Sequence, residues 1–290
     1  MNEYMEYTRA PTAQAAQQQG APAAAKSINS GAGKYHGIRA ERYFTERKDA
    51  PKWTLEQRII EDMLSELPAG AVIFDCPLGT GRFLKHYIAR GLPFLAADIS
   101  GDMIYISARS FDPTGAKAWV DKCDAWVVRF IQQHPNGQLV LDAKGYPVLT
   151  GEELPIGIND PEPVMLDNIH NINGRPAELG VVGAKLSSFD IADKGTLMYG
   201  DARKLNLPDK SVDCVVACRL TRWLSPADNQ KMIREMQRLS QGRIIWTARV
   251  ANHPYARTVE LFEQALDGWK ITRDIAGEDL DYRILMAEPV

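Results

Sequence analysis

The sequence holds no apolar run approaching the ~18 residues of a membrane span, and its first residues lack a charged-then-apolar leader. Membrane-spanning and secreted classes are therefore not expected, and a cytoplasmic location is. Cysteines are few. Cys76, Cys123, Cys214 and Cys218 lie far apart, with no CxxC pair and no neighbouring histidine cluster. Such spacing gives neither a disulfide framework nor a zinc site, so reduced thiols and no metal are expected. A dominant charge is missing too. A net charge of -3 over 290 residues offers no global attraction to nucleic acid or anionic lipid. What remains is 45% hydrophobic, enough for one large core or for one domain with a sizeable insertion.

Larger aliphatics are scarce over residues 1–36, where "APTAQAAQQQGAPAAAKSINSGAGK" is mostly Ala, Gln and Gly. Such a segment buries too little apolar surface to offset its chain entropy, so a flexible arm is expected. The alternative is an arm that orders against a partner or another subunit.

Regular structure is expected from "WTLEQRIIEDMLSELPAG", a helix with Thr54 and Gln57 as a capping box and Leu55, Ile59, Met63 and Leu67 on one face. "AVIFD" then reads as a buried strand. A Gly-x-Gly loop follows, then the helix "GRFLKHYIAR" and a second strand, "PFLAADIS", ending in Asp98. "GDMIYISARSF" starts a further helix. This order opens a doubly wound α/β fold with a mostly parallel sheet.

Residues 112–194 interrupt that rhythm and are expected to form an inserted α+β subdomain. "AWVDKCDAWVVRFIQQH" reads as helical, "GQLVLDAKGYPVLTG" as a hairpin turning at Asp142–Gly145, and Asn171–Gly174 as a second turn. Over 111–195 there are 12 acidic and 7 basic residues, a poor surface for a phosphate backbone. The domain then resumes over 195–290, completing the part begun at 37–111. "TLMYGDA" is expected as a strand ending in Asp201, "SVDCVVACRL" and "GRIIWTARV" as strands, and "SPADNQKMIREMQRLS" as a helix capped by Ser225. "PYARTVELFEQAL" reads as a helix. "WKITRDI" and "DYRILMAEP" read as a closing hairpin, giving an antiparallel C-terminal edge strand.

The chemistry concentrates in "FDCPLGTGRF". Ligands of open α/β sheets sit beyond the carboxyl ends of strands. Gly79 and Gly81 let the backbone come close to such a ligand. A dinucleotide fingerprint wants a third glycine where Leu84 stands, and no Lys-Ser/Thr follows to make a P-loop. Asp75, at the strand end, is expected to repel a pyrophosphate and accept from an ammonium. Asp98, one strand later, can accept both hydroxyls of a ribose, and Asp201 with Ala202 can meet an adenine amino group.

These blocks, "VIFDCPLGTGRF", "FLAADISGDMI", "TLMYGDARKLNLP" and "SVDCVVACRLTRWL", resemble the class I S-adenosylmethionine-dependent methyltransferases over about 34–110 and 195–290. The first looks like the D-x-P-x-G-T-G-R variant of that family's motif, with Pro77 in place of a glycine. The resemblance implies a Rossmann-like fold and S-adenosyl-L-methionine as cofactor. It implies Asp75, Pro77, Gly79 and Gly81 at the methionine part, with Asp98 at the ribose. Ile99 and Met103 would lie near the adenine, Asp201 and Ala202 at its edge, and Arg219 at the methionine end.

The catalytic residue is not identified; the candidates are Arg222, Tyr43 and His36. Arg222 stands where relatives often carry a histidine. It is a poor base and suits a substrate carboxylate or phosphate instead. Tyr43 and His36 precede the first strand, in a stretch that covers the cofactor in many relatives. No Asp/Asn-Pro-Pro-aromatic block and no Pro-Cys block is present, which disfavours DNA bases. The expectation is methyl transfer to a small molecule or a protein, with the insertion or the arm serving substrate access or an assembly partner. The alternative is a methyltransferase-like fold kept as a cofactor-binding or structural component without turnover. An NAD-type oxidoreductase is disfavoured by Leu84 and Asp75.

Overall fold

The computed structural model describes residues 6–7, 35–156, 169–172, 174–249 and 258–290. The arm expected over 1–36 lies outside these residues, except for Glu6, Tyr7, Tyr35 and His36.

In chain order the elements begin with β1 (Glu6–Tyr7), α1 (Gly37–Thr45), α2 (Pro51–Ser65), β2 (Ile73–Asp75), α3 (Leu84–Ala89) and β3 (Phe94–Asp98). Then come α4 (Gly101–Arg109), α5 (Pro113–Lys122), β4 (Trp126–Ile131), β5 (Leu149–Pro155), β6 (His170–Ile172) and β7 (Arg175–Val181). The chain continues through β8 (Phe189–Ile191), β9 (Gly195–Tyr199), β10 (Val212–Ala217) and α6 (Pro226–Leu239). It ends with β11 (Ser240–Arg249), α7 (Val259–Glu263), β12 (Trp269–Ile275) and β13 (Tyr282–Pro289).

The central sheet runs β12-β13-β11-β10-β2-β3-β9-β8. Its middle is parallel, and β13 and β12 are antiparallel as expected for the C-terminal edge. The other edge is antiparallel as well, through β8 on β9. Successive strand residues face opposite sides of a sheet, and here both sides are covered. Ile73, Phe94, Cys214 and Val216 pack with Ile60, Leu64, Leu84 and Ile104. Phe74, Val215, Ala217 and Trp246 pack with Met232, Ile233, Met236 and Phe262 from α6 and α7. Continuous apolar runs such as "VVA" in β10 follow from burial on both faces.

Several local expectations are corrected. Helix α2 starts at Pro51 with Ala50 as N-cap, and Thr54 Oγ1 donates to Ala50 O instead of capping. Proline at the first helical position fixes that start one turn earlier. The core side of α2 is Trp53, Glu56, Ile60, Met63 and Leu64; Leu55, Ile59 and Leu67 flank it. The helix expected through "AWVDKCDAWVVRFIQQH" breaks after Lys122. Asp124 turns at φ 48 and Trp126–Ile131 becomes a fully buried strand. A run of aromatic and β-branched residues suits a strand paired on both sides, and β5 and β7 do pair with it. Strand β9 stops at Tyr199, two residues before Asp201. Residues 254–257 of the expected "PYARTVELFEQAL" helix lie outside the described residues, and α7 itself is Val259–Glu263.

The interrupting segment builds a second sheet, ordered β1-β6-β7-β4-β5. The turn expected at Asp142–Gly145 is present; of the one expected over Asn171–Gly174, Asn171 and Ile172 belong to β6 and residue 173 lies outside the described residues. Gly145 N donates to Asp142 O at 2.9 Å, and Gly174 turns between β6 and β7. Glu6 and Tyr7 pair in parallel with β6. The sheet packs Trp126, Val128, Phe130, Ala177, Leu179 and Val181 into the core that contains α4 and α5.

Candidate functional site

The loop after β2 is fixed by its neighbours. Asp98 Oδ2 accepts from Gly79 N at 2.8 Å, and Asp98 Oδ1 from Ser100 N at 2.8 Å. Ser107 Oγ donates to Gly79 O at 3.0 Å. Gly79 and Gly81 sit at φ 57 and 73, where side chains are strained. No neighbouring atom lies within 4 Å of where a Cβ on Gly79 would be, so backbone conformation alone dictates that glycine.

The loop opens onto a cavity of about 310 Å3 at the carboxyl ends of β2, β3, β9 and β10. Pro77, Gly79, Asp98, Ile99 and Met103 line it. So do Asp201, Ala202, Arg219 and Tyr43. Gly81, Asp75, His36 and Arg222 do not.

Asp75 is the main correction. It is 2% exposed and accepts from Tyr87 OH at 3.1 Å. Strand alternation puts it on the Ile73 side of the sheet, toward α3 and away from the cavity. Burial pushes its carboxyl up to about 8, against the opposing pull of the Tyr87 hydroxyl and the Arg82 charge. His36 is also diverted: its Nδ1 lies 3.1 Å from Asp102 Oδ2, behind the cavity wall. Arg222 Nη2 donates to Tyr35 OH at 2.9 Å, and its guanidinium lies over the Trp223 ring. It therefore braces a wall residue. Tyr43 does face the cavity, but burial raises its phenol to about 12, so it is no base at neutral pH.

Sequence reasoning missed a charged cluster at one end of the cavity. Glu56, fully buried on α2, accepts from Arg82 Nη2 at 2.5 Å and Arg219 Nε at 3.0 Å. Both guanidiniums lie against Trp53, at 4.1 and 4.4 Å from the ring centroid. Arg82 Nη1 and Arg219 Nη2 are buried and have no partner among the described residues. Buried donors without acceptors are costly, and both arginines line the cavity. Arg82 was visible as the last residue of "GTGR". Glu56 announced itself only as an acid three residues after Trp53 on a core-facing helix.

At the other end, Asp201 is engaged by Arg203 Nε at 2.9 and 3.1 Å. Burial alone would raise its carboxyl, but these bonds hold it below the usual range. Asp98 lies between the two ends. Burial raises it to about 6, against the opposing pull of the Ser100 and Gly79 N–H groups. Each of its oxygens keeps a lone pair for a further donor. Tyr35, Tyr43, Trp53 and Trp223 form a chain of edge-on rings over the cavity, at 4.9 Å (Tyr35–Tyr43), 5.8 Å (Tyr43–Trp53) and 6.0 Å (Tyr35–Trp223).

All four cysteines are free. Among the described residues no cluster suits a metal ion, and no helix is long and apolar enough to cross a membrane.

A family model described as a methyltransferase domain matches residues 165–245. The match runs from before β6 through β10 and α6 into β11, and so takes in part of the interrupting segment and leaves out the glycine loop. Among solved structures, the chain is similar to magnesium protoporphyrin IX methyltransferase from Synechocystis PCC 6803. With S-adenosylhomocysteine bound, that structure shows 13% identity over 86% of this chain and 93% of that one, at TM-score 0.49. With S-adenosylmethionine bound, the figures are 14%, 82%, 79% and 0.47. A TehB-like methyltransferase from Corynebacterium glutamicum shows 12% identity over 86% of this chain and 97% of that one, at TM-score 0.47. No curated protein matches the sequence. The family match agrees with the resemblance drawn from the motifs, over residues 165–245 alone.

Proposed function

We propose that the chain is a methyltransferase that takes S-adenosyl-L-methionine as donor and works in the cytoplasm. One observation carries this: the ends of β2, β3 and β9 meet on a single cavity with two unpartnered guanidinium N–H groups at one end and Asp98 midway. The residues fit the donor's parts in order. Arg82 Nη1 and Arg219 Nη2 suit the methionine carboxylate, each donating one charge-assisted hydrogen bond. Asp98 suits the ribose hydroxyls, Ile99 and Met103 the adenine faces, and Asp201 with Ala202 its edge. Pro77, Gly79 and Gly81 shape the loop that runs past the methionine part.

The donor supplies an electrophilic methyl group. When bound, the donor would give its methyl carbon to an acceptor lone pair, the carbon–sulfur electron pair would stay on sulfur and the acceptor's proton would pass to solvent, with Arg82, Arg219 and Asp98 holding the donor in place. Burial raises the Tyr43 phenol to about 12 and guanidinium groups are poor bases, so the wall at that end offers orientation and charge instead of a base. An acceptor whose proton leaves easily fits such a site. A small molecule or a protein side chain is favoured over a DNA base.

Calorimetric titration with S-adenosylmethionine and S-adenosylhomocysteine tests this, beside an Asp98→Ala variant. Binding by the intact chain and its loss in the variant are expected. No binding at millimolar ligand, or binding of NADH instead, would overturn the proposal. Tight binding without methylation of any acceptor pool would favour a cofactor-binding component of an assembly.

A further inference from the structure

We propose that the inserted sheet acts on this site through α1, with Glu178, Asp142 and Tyr146 as positioning residues that hold Tyr35 and Tyr43 over the cavity. The inference rests on the methyltransferase reading above for its ligand, and on geometry alone for the helix.

Helix α1 has nine residues, of which only Gly37, Ile38 and Ala40 are buried. So short a helix is marginal in water by itself, and its place must come from tertiary contacts. Those contacts divide by chemistry. Toward the cavity they are aromatic edges: Tyr35 on Trp223, and Tyr43 on Trp53. Toward the insertion they are polar. Ile38 N donates to Glu178 of β7 at 3.3 Å. Arg39 pairs with Asp142 at the hairpin turn and lies over the Tyr146 ring, 4.7 Å from its centroid. Tyr146 OH donates to Glu46 at the C-terminal end of α1.

A second set of bonds ties the same joint to the central domain. Asp102 of α4 receives His36 at 3.1 Å, Arg129 of β4 at 2.7 Å and the Val181 N–H of β7 at 2.8 Å. Arg109 meets both oxygens of Glu41 at 2.7 Å. Asp102 and Arg129 are nearly fully buried, so this part is a fixed hinge post. Arg39 and Asp142 are 27% and 30% exposed at the side chain, where an ion pair contributes little. The insertion thus adds polar bonds to α1 at Ile38, Arg39 and Glu46, beside those that α4 makes to Glu41 and α2 to Tyr43. These bonds set how often the ring arch stands open without setting whether the domain folds.

The test compares the full-length chain with a D142N/Y146F variant and with Glu178→Gln. Hydrogen exchange over residues 37–45 reads the helix, stopped-flow tryptophan fluorescence reads S-adenosylhomocysteine release, and a melting curve reads the fold. Faster exchange in α1 and release faster by about three- to tenfold, at a nearly unchanged melting temperature, are expected for D142N/Y146F. Glu178→Gln keeps an oxygen acceptor for Ile38 N and should move both readouts less. Unchanged α1 exchange would overturn the inference. So would exchange that rises throughout the chain together with a fallen melting temperature, since that marks a structural role only. If S-adenosylhomocysteine does not bind at all, the methyltransferase reading fails, while the α1 exchange comparison still decides this one.

Discussion

Asp98 and Gly79 are joined by one hydrogen bond, N–H to Oδ2 at 2.8 Å, that ties the end of β3 to the tip of the glycine loop. A single carboxylate thus both shapes the loop and faces the cavity. Asp98→Asn keeps one acceptor oxygen and should weaken S-adenosylhomocysteine binding by about tenfold, while Asp98→Ala, losing hydrogen bonds to a charged group, should weaken it further. Calorimetry on both variants checks the order.

Arg82 Nη1 and Arg219 Nη2, which lack partners among the described residues, make a second prediction. Arg82→Gln or Arg219→Gln should cost S-adenosylhomocysteine about tenfold in affinity or more. Neither should affect 5′-methylthioadenosine, which has the same nucleoside and no carboxylate. Equal losses for the two ligands would show that the arginines serve the wall and not the ligand.

Asp75 predicts a pH dependence of stability. Its carboxyl has moved from 3.8 up to about 8 by burial. Between those values the unfolded chain releases a proton that the folded chain keeps. Stability therefore falls as pH rises through that window, by up to about 1.4 kcal/mol per pH unit from this group. Asp75→Asn should flatten the slope between pH 4 and 8 and leave an oxygen to accept from Tyr87. Denaturant melts across that range measure it.

Gly101, the first residue of α4, lies against β7 and the turn after it. A Cβ there would run into the backbone at Val181 and Gly183. Backbone cannot step aside as a flexible side chain can. Gly101→Ala should cost about 1–3 kcal/mol by overpacking and should loosen the joint between the two sheets. Chemical denaturation gives the cost, and exchange at Val181 N–H locates it.

Much of this was legible beforehand because it is local. The strand–loop–helix order, the capped α6, the closing hairpin and the insertion's turn at Asp142–Gly145 rest on short patterns of burial and turn chemistry. The acids at or just past the ends of β2, β3 and β9 were legible as positions, but not as directions. Asp75 shows the limit: the sequence places an acid at the strand end, while the face it takes depends on Tyr87 waiting on α3. The preference for an ammonium over a pyrophosphate rests on Asp75's charge and does not survive that geometry; the arginine pair beside Glu56 attracts an anion, a carboxylate or a phosphate alike. Strand β4 was misread because its six buried residues follow a helix without a glycine or proline between them. His36 and Arg222 were named for their place in the chain. Their partners, Asp102 and Tyr35, lie 66 and 187 residues away, beyond any local signal.

Strand β2 stands in the middle of the central sheet, yet its two neighbours arrive at very different times during synthesis. β3 follows within a short stretch, whereas the chain that pairs on the other side begins 141 residues later, at the bond from Val72 N to Asp213. By the time β10 leaves the ribosome, β4 to β7 have already emerged and can pair among themselves. At that point every strand of the peripheral sheet has been made, while β2 still lacks its neighbour on one side. That unpaired edge is the stretch a chaperone would need to shield.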